Sequence, residues 1–358
     1  MPTLQVNNIP DLVSMTLPQL GKLKFTDLMS NYQSTIMLKR TMKKSKMTFE
    51  SGSAVDFNVI TDTNHSAKMV GIGESDNVNI PTLMTKGEVP WRHCTWNWAY
   101  DRRVLAMNRE PSRIVDLLQT QRIAAFGDAI IMFEIQGWQV PSATDLKSAY
   151  GIPYWVVKSN TTATQANNNG FNGGAPTGYT TVGNINPTTY VRWQNYATQY
   201  TNLSKDDFVR KARRMAFYLD WAPLVDEIPT YDTGDDLGQF ANYVTVASLE
   251  ELLEAQNDDL GNDVAAMDGK TLFRRKPVTP VRQLDLDTTN PFYMINFGEF
   301  HTQGLRGEWM YETPIPITPG QHTVGQVHVD CSFNWICRNR RRNGVIATDV
   351  TMPAATPV

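Results

Sequence analysis

Between Met47 and Gly137 the apolar residues change their period once, from two to about 3.6, and both runs are long for a small core. Met47 and Phe49, then Val55, Phe57 and Val59, hold one parity, with Thr48, Glu50, Asp56 and Asn58 on the other. Gly52 marks a bulge or bend in that run. A second run, Glu88 to Tyr100, sets Cys94, Trp96, Trp98 and Tyr100 against His93, Thr95 and Asn97. At ~3.3 Å per residue it spans roughly 40 Å, against a usual strand of ~5–6 residues. The stretch between the two runs is rich in Gly, Asn, Asp and Ser and offers little core material. Pro111 then opens a stripe of Ile114, Leu117, Leu118, Ala124, Ala125, Ala129, Met132 and Phe133 that predicts one helix through Gly137, again roughly 40 Å long. A strand pair and helix of this length, with so little between them, predict a projecting arm whose aromatic face needs a surface from elsewhere, part of it from a neighbouring chain.

The flanking segments are more ordinary. Residues 1–20 carry Pro2, Pro10 and Pro18 and read as an extended tail. Phe25, Leu28, Met29, Tyr32 and Ile36 recur at helical spacing and lead into Lys39, Arg40, Lys43, Lys44 and Lys46. That basic cluster reads either as a helix end favoured by the dipole or as a patch facing an acidic partner, such as packaged DNA or a scaffold. Gly151–Lys158 reads as a short apolar strand, and 159–187 as an exposed Asn/Gly/Thr-rich insertion loop. A helix capped by Ser204, with Asp207 three residues on, is striped by Phe208, Ala212, Met215, Ala216 and Leu219. Its other face holds Lys205, Arg210, Lys211, Arg213 and Arg214. Tyr243–Ala247 is strand-like, Ser248 and Glu251 form a capping box, and Leu272–Leu284 returns as strand, together a small α/β unit. Val327, Val329, Cys331, Phe333, Trp335 and Cys337 alternate against polar neighbours, the strongest strand signal in the chain.

The chemistry-bearing residues form no recognisable catalytic pattern. His65, His93, His301, His322 and His328 show no ligand spacing, and the three cysteines, Cys94, Cys331 and Cys337, have no paired spacing, so free, buried thiols are expected. His328 and Asp330 share a strand face and read as solvent-facing or interface residues. Gly170–Gly174 reads as turn material, and Asp206–Asp207 and Asp235–Asp236 as capping and turn residues. Arg338–Arg342, beside Trp335, reads as an intersubunit salt-bridge cluster rather than an RNA-binding patch. With 358 residues, 19% charged and a net charge of −3, the chain is no bulk nucleic-acid binder. No apolar run reaches the ~18 residues of a membrane helix, and the N-terminus lacks a signal peptide's apolar stretch, so synthesis in the cytoplasm is expected. No cofactor, metal or catalytic residue is expected.

The succession of elements resembles the major capsid proteins of tailed bacteriophages, of the Hong Kong 97 type. Similar local phrases are Trp96-Asn-Trp-Ala-Tyr-Asp-Arg103, Gly151-Ile-Pro-Tyr-Trp155, Tyr190-Val-Arg-Trp-Gln-Asn195 and Trp335 to Gly344. The resemblance implies an α+β subunit with an N-terminal arm (1–46) and an extended loop (47–104). It implies a peripheral domain (105–225) with a spine helix at 110–137 and the 159–187 insertion, an axial α/β domain (226–300), and C-terminal strands returning to the peripheral domain (301–358). It further implies self-assembly through hexamers and pentamers into an icosahedral shell, in a virion built in the host cytoplasm. Separate scaffolding, portal and decoration proteins, and non-specific contact with packaged double-stranded DNA, are the implied partners. Many relatives begin with a cleaved scaffolding segment, whereas Met1 here stands just before the arm, so either a separate scaffold or assembly without one is expected. Some relatives cross-link a loop lysine to an asparagine on a neighbour; Lys68 and Lys86 lie in the loop, and the sequence does not identify such an asparagine. Trp91, Trp96, Trp98, Ile72, Met84, Arg338, Arg340, Arg341 and Arg342 are the expected intersubunit contacts, and Lys39, Arg40, Lys43, Lys44 and Lys46 an inner-surface patch. Another phage structural protein, such as a portal or tail component, is the alternative, and a carbohydrate-binding protein or enzyme a more distant one.

Overall fold

The computed structural model describes residues 35–43, 45–74, 80, 83–107, 111–158, 170–220, 236–257, 271–313 and 322–348. In chain order these form α1 (Ile36–Thr41), β1 (Met47–Glu50), β2 (Ala54–Ile60), β3 (Met84–Pro90), β4 (Arg92–Asp101), α2 (Arg102–Met107) and the long helix α3 (Pro111–Gly137). Then follow α4 (Ile152–Trp155), β5 (Gly170–Gly173), β6 (Asn195–Tyr200), α5 (Arg210–Tyr218), β7 (Leu237–Ala241), α6 (Tyr243–Asn257), β8 (Leu272–Phe273) and β9 (Lys276–Pro280). The chain finishes with β10 (Phe292–Asn296), β11 (Phe300–Leu305), β12 (Tyr311–Glu312), β13 (Val324–Cys337) and β14 (Gly344–Thr348). The predicted helix around Phe25–Tyr32 and the tail lie outside the described residues, as do Lys44 and the 159–169 part of the insertion.

The long helix occupies 27 residues, as its stripe predicts, with Leu118, Ala129 and Phe133 buried. The expected long strand pair is different. β2 and β3 form a hairpin of seven residue pairs, Ala54↔Pro90 to Ile60↔Met84, about 23 Å at ~3.3 Å per residue. The second run breaks at Trp91, and β4 leaves the hairpin to pair with β13 over ten residues, Arg92↔Phe333 to Asp101↔Val324. Gly52, at φ +137°, turns the first strand at the same level, and Trp91 Nε1 donates to its carbonyl at 2.9 Å. The alternation changes phase at that point: Gly87, Val89 and Trp91 are buried at odd positions, Arg92, Trp96 and Tyr100 at even ones.

Two larger sheets make the body. The five-stranded sheet runs β1-β11-β13-β12 with β4 also on β13, and β1 joins it in parallel, Met47↔Thr302 to Glu50↔Leu305. The seven-stranded sheet runs β5-β6-β14-β10-β7-β9-β8. Successive residues of its central strand, Phe292-Tyr-Met-Ile295, enter two different cores in turn. Tyr293 and Ile295 meet a cluster shared with Trp96, Phe133, Trp138, Phe333 and Trp335. Phe292 and Met294 meet Phe208, Ala212, Met215, Val246 and Leu249 under α5 and α6. A strand covered on both faces reads as a continuous apolar run.

Several local expectations change. Gly151–Lys158 holds a helical turn, with Val156 N–H on Ile152 O at 2.8 Å, because Ile152, Tyr154, Trp155 and Val156 are buried on every side and show no period. Tyr243–Ala247 is helical as well. Asn242 Oδ1 accepts from Thr245 N at 3.1 Å and starts α6 earlier than Ser248, while Val246 and Leu249 face the core at helical spacing. Ser204 does cap as expected, accepting from Asp207 N at 3.2 Å, though a π-turn over Lys205–Val209 precedes α5. Gly170–Gly173 is the edge strand β5 rather than a turn. The rest of the insertion, from 174 to 187, folds inward: Val182 and Ile185 are buried, and Gly183 O accepts from Glu88 N at 3.0 Å at the hairpin root. Leu272–Leu284 divides into the short β8, β9 and a 3₁₀ turn at Arg282–Leu286. The sheets also divide the chain differently from the expected 225/226 boundary, since β5, β6 and β14 share one sheet with β7–β10.

Candidate assembly interface

Among the described residues no group of three His, Cys, Asp or Glu side chains could hold a metal ion, and no helix is long and apolar enough to cross a membrane. One polar cluster resembles a hydrolase triad in its residue types. Ser332 Oγ lies 2.6 Å from His93 Nδ1 and donates to Glu308 Oε2 at 2.7 Å. A catalytic triad needs the imidazole between hydroxyl and carboxylate. Here the hydroxyl stands in the middle and its proton goes to the acid, so the cluster orders the sheet edge and activates no nucleophile. His328 and Asp330 lie half-buried on β13, opposite Asn97 and Thr95.

The surfaces of the hairpin are more informative. Its root is fixed to the body: Val55, Phe57 and Val89 are buried, and Phe57 packs on Trp155 and Trp193 at ring-centroid distances of 6.2 and 6.0 Å. Its far end has no such cover. Ile60, Met69, Val70, Ile72, Ile80 and Met84 are exposed, Met69 and Ile72 fully so. Leu83 O accepts from Thr61 N at 3.1 Å and closes the ladder before the tip. Lys86 pairs with Asp56 across the hairpin at 2.8 Å.

The expected intersubunit residues therefore separate. Ile72 and Met84 lie on the uncovered tip. Trp91 and Trp96 are each 8% exposed and belong to the subunit's own core, Trp96 packing edge-on to Phe126 and Phe133 of the long helix. The strand and the long helix thus cover each other, and Phe126 and Phe133 are the part of that surface which the chain itself supplies. Trp98 is half-buried, at a groove lined also by Gln121, Ala125 and Asp128.

The arginine run is likewise turned inward. Arg340 is fully buried, and its guanidinium donates to the carbonyls of Trp155, Trp193, Gly173 and Gly174 and to Asn195 Oδ1, at 2.7–3.2 Å. Burial brings its pKa down to about 10, still charged at neutral pH. Arg342 pairs with the buried Glu299 at 3.0 Å, and Arg341 lies over the Phe171 ring at 3.9 Å. Arg338 N donates to Glu299 O at 3.1 Å. Arg340 and Arg342 thus form an internal brace between β13, β14 and the 173–195 segment, while Arg338 and Arg341 are half-buried.

The basic cluster at the arm splits in the same way. Arg40 and Lys46 both pair with Asp236, at 2.5 and 3.0 Å, and Lys46 also donates to Phe297 O at 2.8 Å. Asp236 is thereby an ion-pair residue rather than a turn residue. Lys39 and Lys43 remain exposed. A residue that sequence reasoning missed fixes the arm's other side. Glu134 of the long helix, 1% exposed, accepts from the N–H groups of Ile36, Met37 and Leu38 and from Trp138 Nε1, at 2.9–3.4 Å. It satisfies the donors that a helix start leaves open. Gly137 makes room for this contact, since a Cβ there would stand 2.3 Å from Met37 Cγ. The available signal was a carboxylate four residues before Trp138 beside an apolar stripe.

No family model and no curated protein matches the sequence. The fold does have solved counterparts. A chain of the cyanophage A-1(L) capsid asymmetric unit is similar at a TM-score of 0.60 and 14% identity, covering 95% of this chain and 99% of that one. A chain of the capsid of a native GTA particle is similar at a TM-score of 0.54 and 10% identity, covering 93% and 97%. The likeness runs over nearly the whole of each chain: this protein has the α+β capsid-subunit fold of the Hong Kong 97 type.

Proposed function

We propose that this chain is a major capsid protein, a non-enzymatic subunit that self-assembles through hexamers and pentamers into the icosahedral shell of a tailed phage or phage-like particle. The observation that carries this reading is the hairpin tip. Its apolar residues Ile60, Ile72 and Met84 have no cover among the described residues, while its root is anchored to the body. Large apolar side chains exposed together at the end of one hairpin mark a contact with another protein. In a chain of this fold, the partner is the body of the next copy. The projecting hairpin is the extended loop of this proposal, α3 its spine helix, and the N-terminal segment ending in α1 its arm. Scaffolding, portal and decoration proteins, and packaged double-stranded DNA touching the exposed Lys39 and Lys43, are the further partners.

The test is to express the full chain alone and together with its neighbouring genes, then examine the product by electron microscopy and sizing. Closed shells of uniform diameter are expected. Stable monomers under every condition would overturn the proposal, and open rings or tubes would favour a portal or tail component.

A further inference from the structure

Cys94 and Cys331 stand directly opposite each other on β4 and β13. The same ladder continues to Arg102, whose N–H donates to Thr323 O at 2.8 Å. Alternate pairs of an antiparallel ladder exchange hydrogen bonds. Stepping back by twos from Arg102 and Thr323 places the cysteines in the hydrogen-bonded class, with Cα atoms ~5.5 Å apart. Disulfides bridge Cα separations of ~4.4–6.8 Å, so no strand need move. Directly opposite residues put their side chains on the same face. Cys94 Sγ donates to Cys331 O at 3.2 Å, and a hydrogen bond with the Cys331 side chain is the leading influence on the Cys94 thiol. Cys337 is no competitor: it lies six residues further along β13, opposite Phe300, fully buried, and accepts from Asn343 Nδ2 at 3.5 Å.

We propose that Cys94 and Cys331 are a latent cross-strand disulfide, closed by a peroxide oxidant once the protein leaves thiol reductants behind. Cys94, the more accessible of the two, reacts first. Its thiolate attacks one oxygen of hydrogen peroxide, the O–O bond breaks, and the products are Cys94 sulfenic acid and hydroxide, which takes up the thiol's proton as water. The Cys331 sulfur then attacks the sulfenic sulfur, forms the S–S bond and releases the second water. Two electrons pass from the two thiols to one peroxide. The Cys331 hydrogen bond, then burial, hold the Cys94 thiol well above its ordinary pKa, so thiolate is scarce at neutral pH and closure is slow. The bond would fasten β4, the strand joining hairpin to long helix, to the longest strand of the body. A shell that assembles among reduced thiols and is later released supplies the occasion, and in that respect alone the inference rests on the proposed function.

The test uses the full-length chain, purified with reductant and then held in hydrogen peroxide without it. After denaturation, maleimide-reactive thiols should fall from three to one, the intact mass should fall by about 2 Da, and a non-reducing peptide map should join the peptides holding residues 94 and 331. Dithiothreitol should reverse all three, and closure should quicken roughly tenfold per pH unit between about pH 7 and 9 as thiolate accumulates. Cys331→Ser should leave Cys94 as a sulfenic acid that dimedone traps, while Cys337→Ser should close as the parent does. Three alkylatable thiols after oxidation, sulfinic acid at Cys94 without a joined peptide, or a bond through Cys337 would each overturn the proposal. Particle formation is scored separately, so a chain that stays monomeric yet closes the bond bears against the shell and not against the disulfide.

Discussion

At the scale of single residues, Arg340 illustrates how a sequence motif can be read correctly as basic and wrongly as exposed. Its neighbours Arg341 and Arg342 share a 3₁₀ turn with it, and such a turn advances each side chain by about 120°, so consecutive arginines leave in three directions. Arg340 points to the interior, where carbonyls orphaned by the α4 turn, by the β5 end and by the 191–193 turn converge on it. A lysine has one donor centre and cannot serve that many acceptors. Arg340→Lys is therefore expected to lower unfolding stability by roughly 3 kcal/mol, and Arg340→Ala by more, because both leave buried oxygens unpaired. Urea unfolding of the purified subunit measures this, and a midpoint within error of the parent would show that the oxygens find other donors. None of this could be seen in the sequence, since the acceptors come from positions 155 to 195 and are brought to Arg340 only by the packing of the sheet.

At the scale of elements, the long helix was legible because 27 residues of stripe leave no other period, and β13 because its alternation is clean. The arm's attachment was not legible, since it rests on one carboxylate from each of two distant elements. Glu134 closes the start of α1, and Asp236 clasps Arg40 and Lys46 at its far side. Burial raises the Asp236 carboxyl, but the Lys46 hydrogen bond and the Arg40 and Lys46 charges outweigh it and hold the pKa below its ordinary value. The sign follows from linkage: the clasp contributes fully above the unfolded value near 3.8 and is lost as pH falls through the lower folded one. The pairs are partly open to solvent, so the expected gain is modest. Asp236→Asn should quicken amide exchange of residues 36–46 by threefold to roughly tenfold at neutral pH, leaving the long helix protected. Acidifying the parent well below pH 3.8 should loosen the same residues further, because burial raises the Glu134 carboxyl and neutralises it before Asp236. Unchanged exchange in the variant would mean that Glu134 alone holds the arm.

At the scale of the whole molecule, the body is self-sufficient and the hairpin tip is not. Replacing residues 62–82 by a short turn between Thr61 and Leu83 should leave the thermal midpoint within about 2 °C of the parent, since the buried root residues are untouched. The same deletion should abolish closed shells in electron micrographs, and shells at normal yield would remove the tip from the interface. What the sequence alone determined was the long helix and β13, whose periods are uninterrupted, and the α+β class. What the tertiary structure decided was which faces meet. Alternation shows that Trp96 and Trp98 share a face, but whether β4 continues the hairpin or turns to β13 depends on which strand lies beside it. That choice is made by burial summed over residues far apart in the chain, to which no local window has access. The partner surface is thus proposed at the tip, because the long helix already covers Trp96 within the chain.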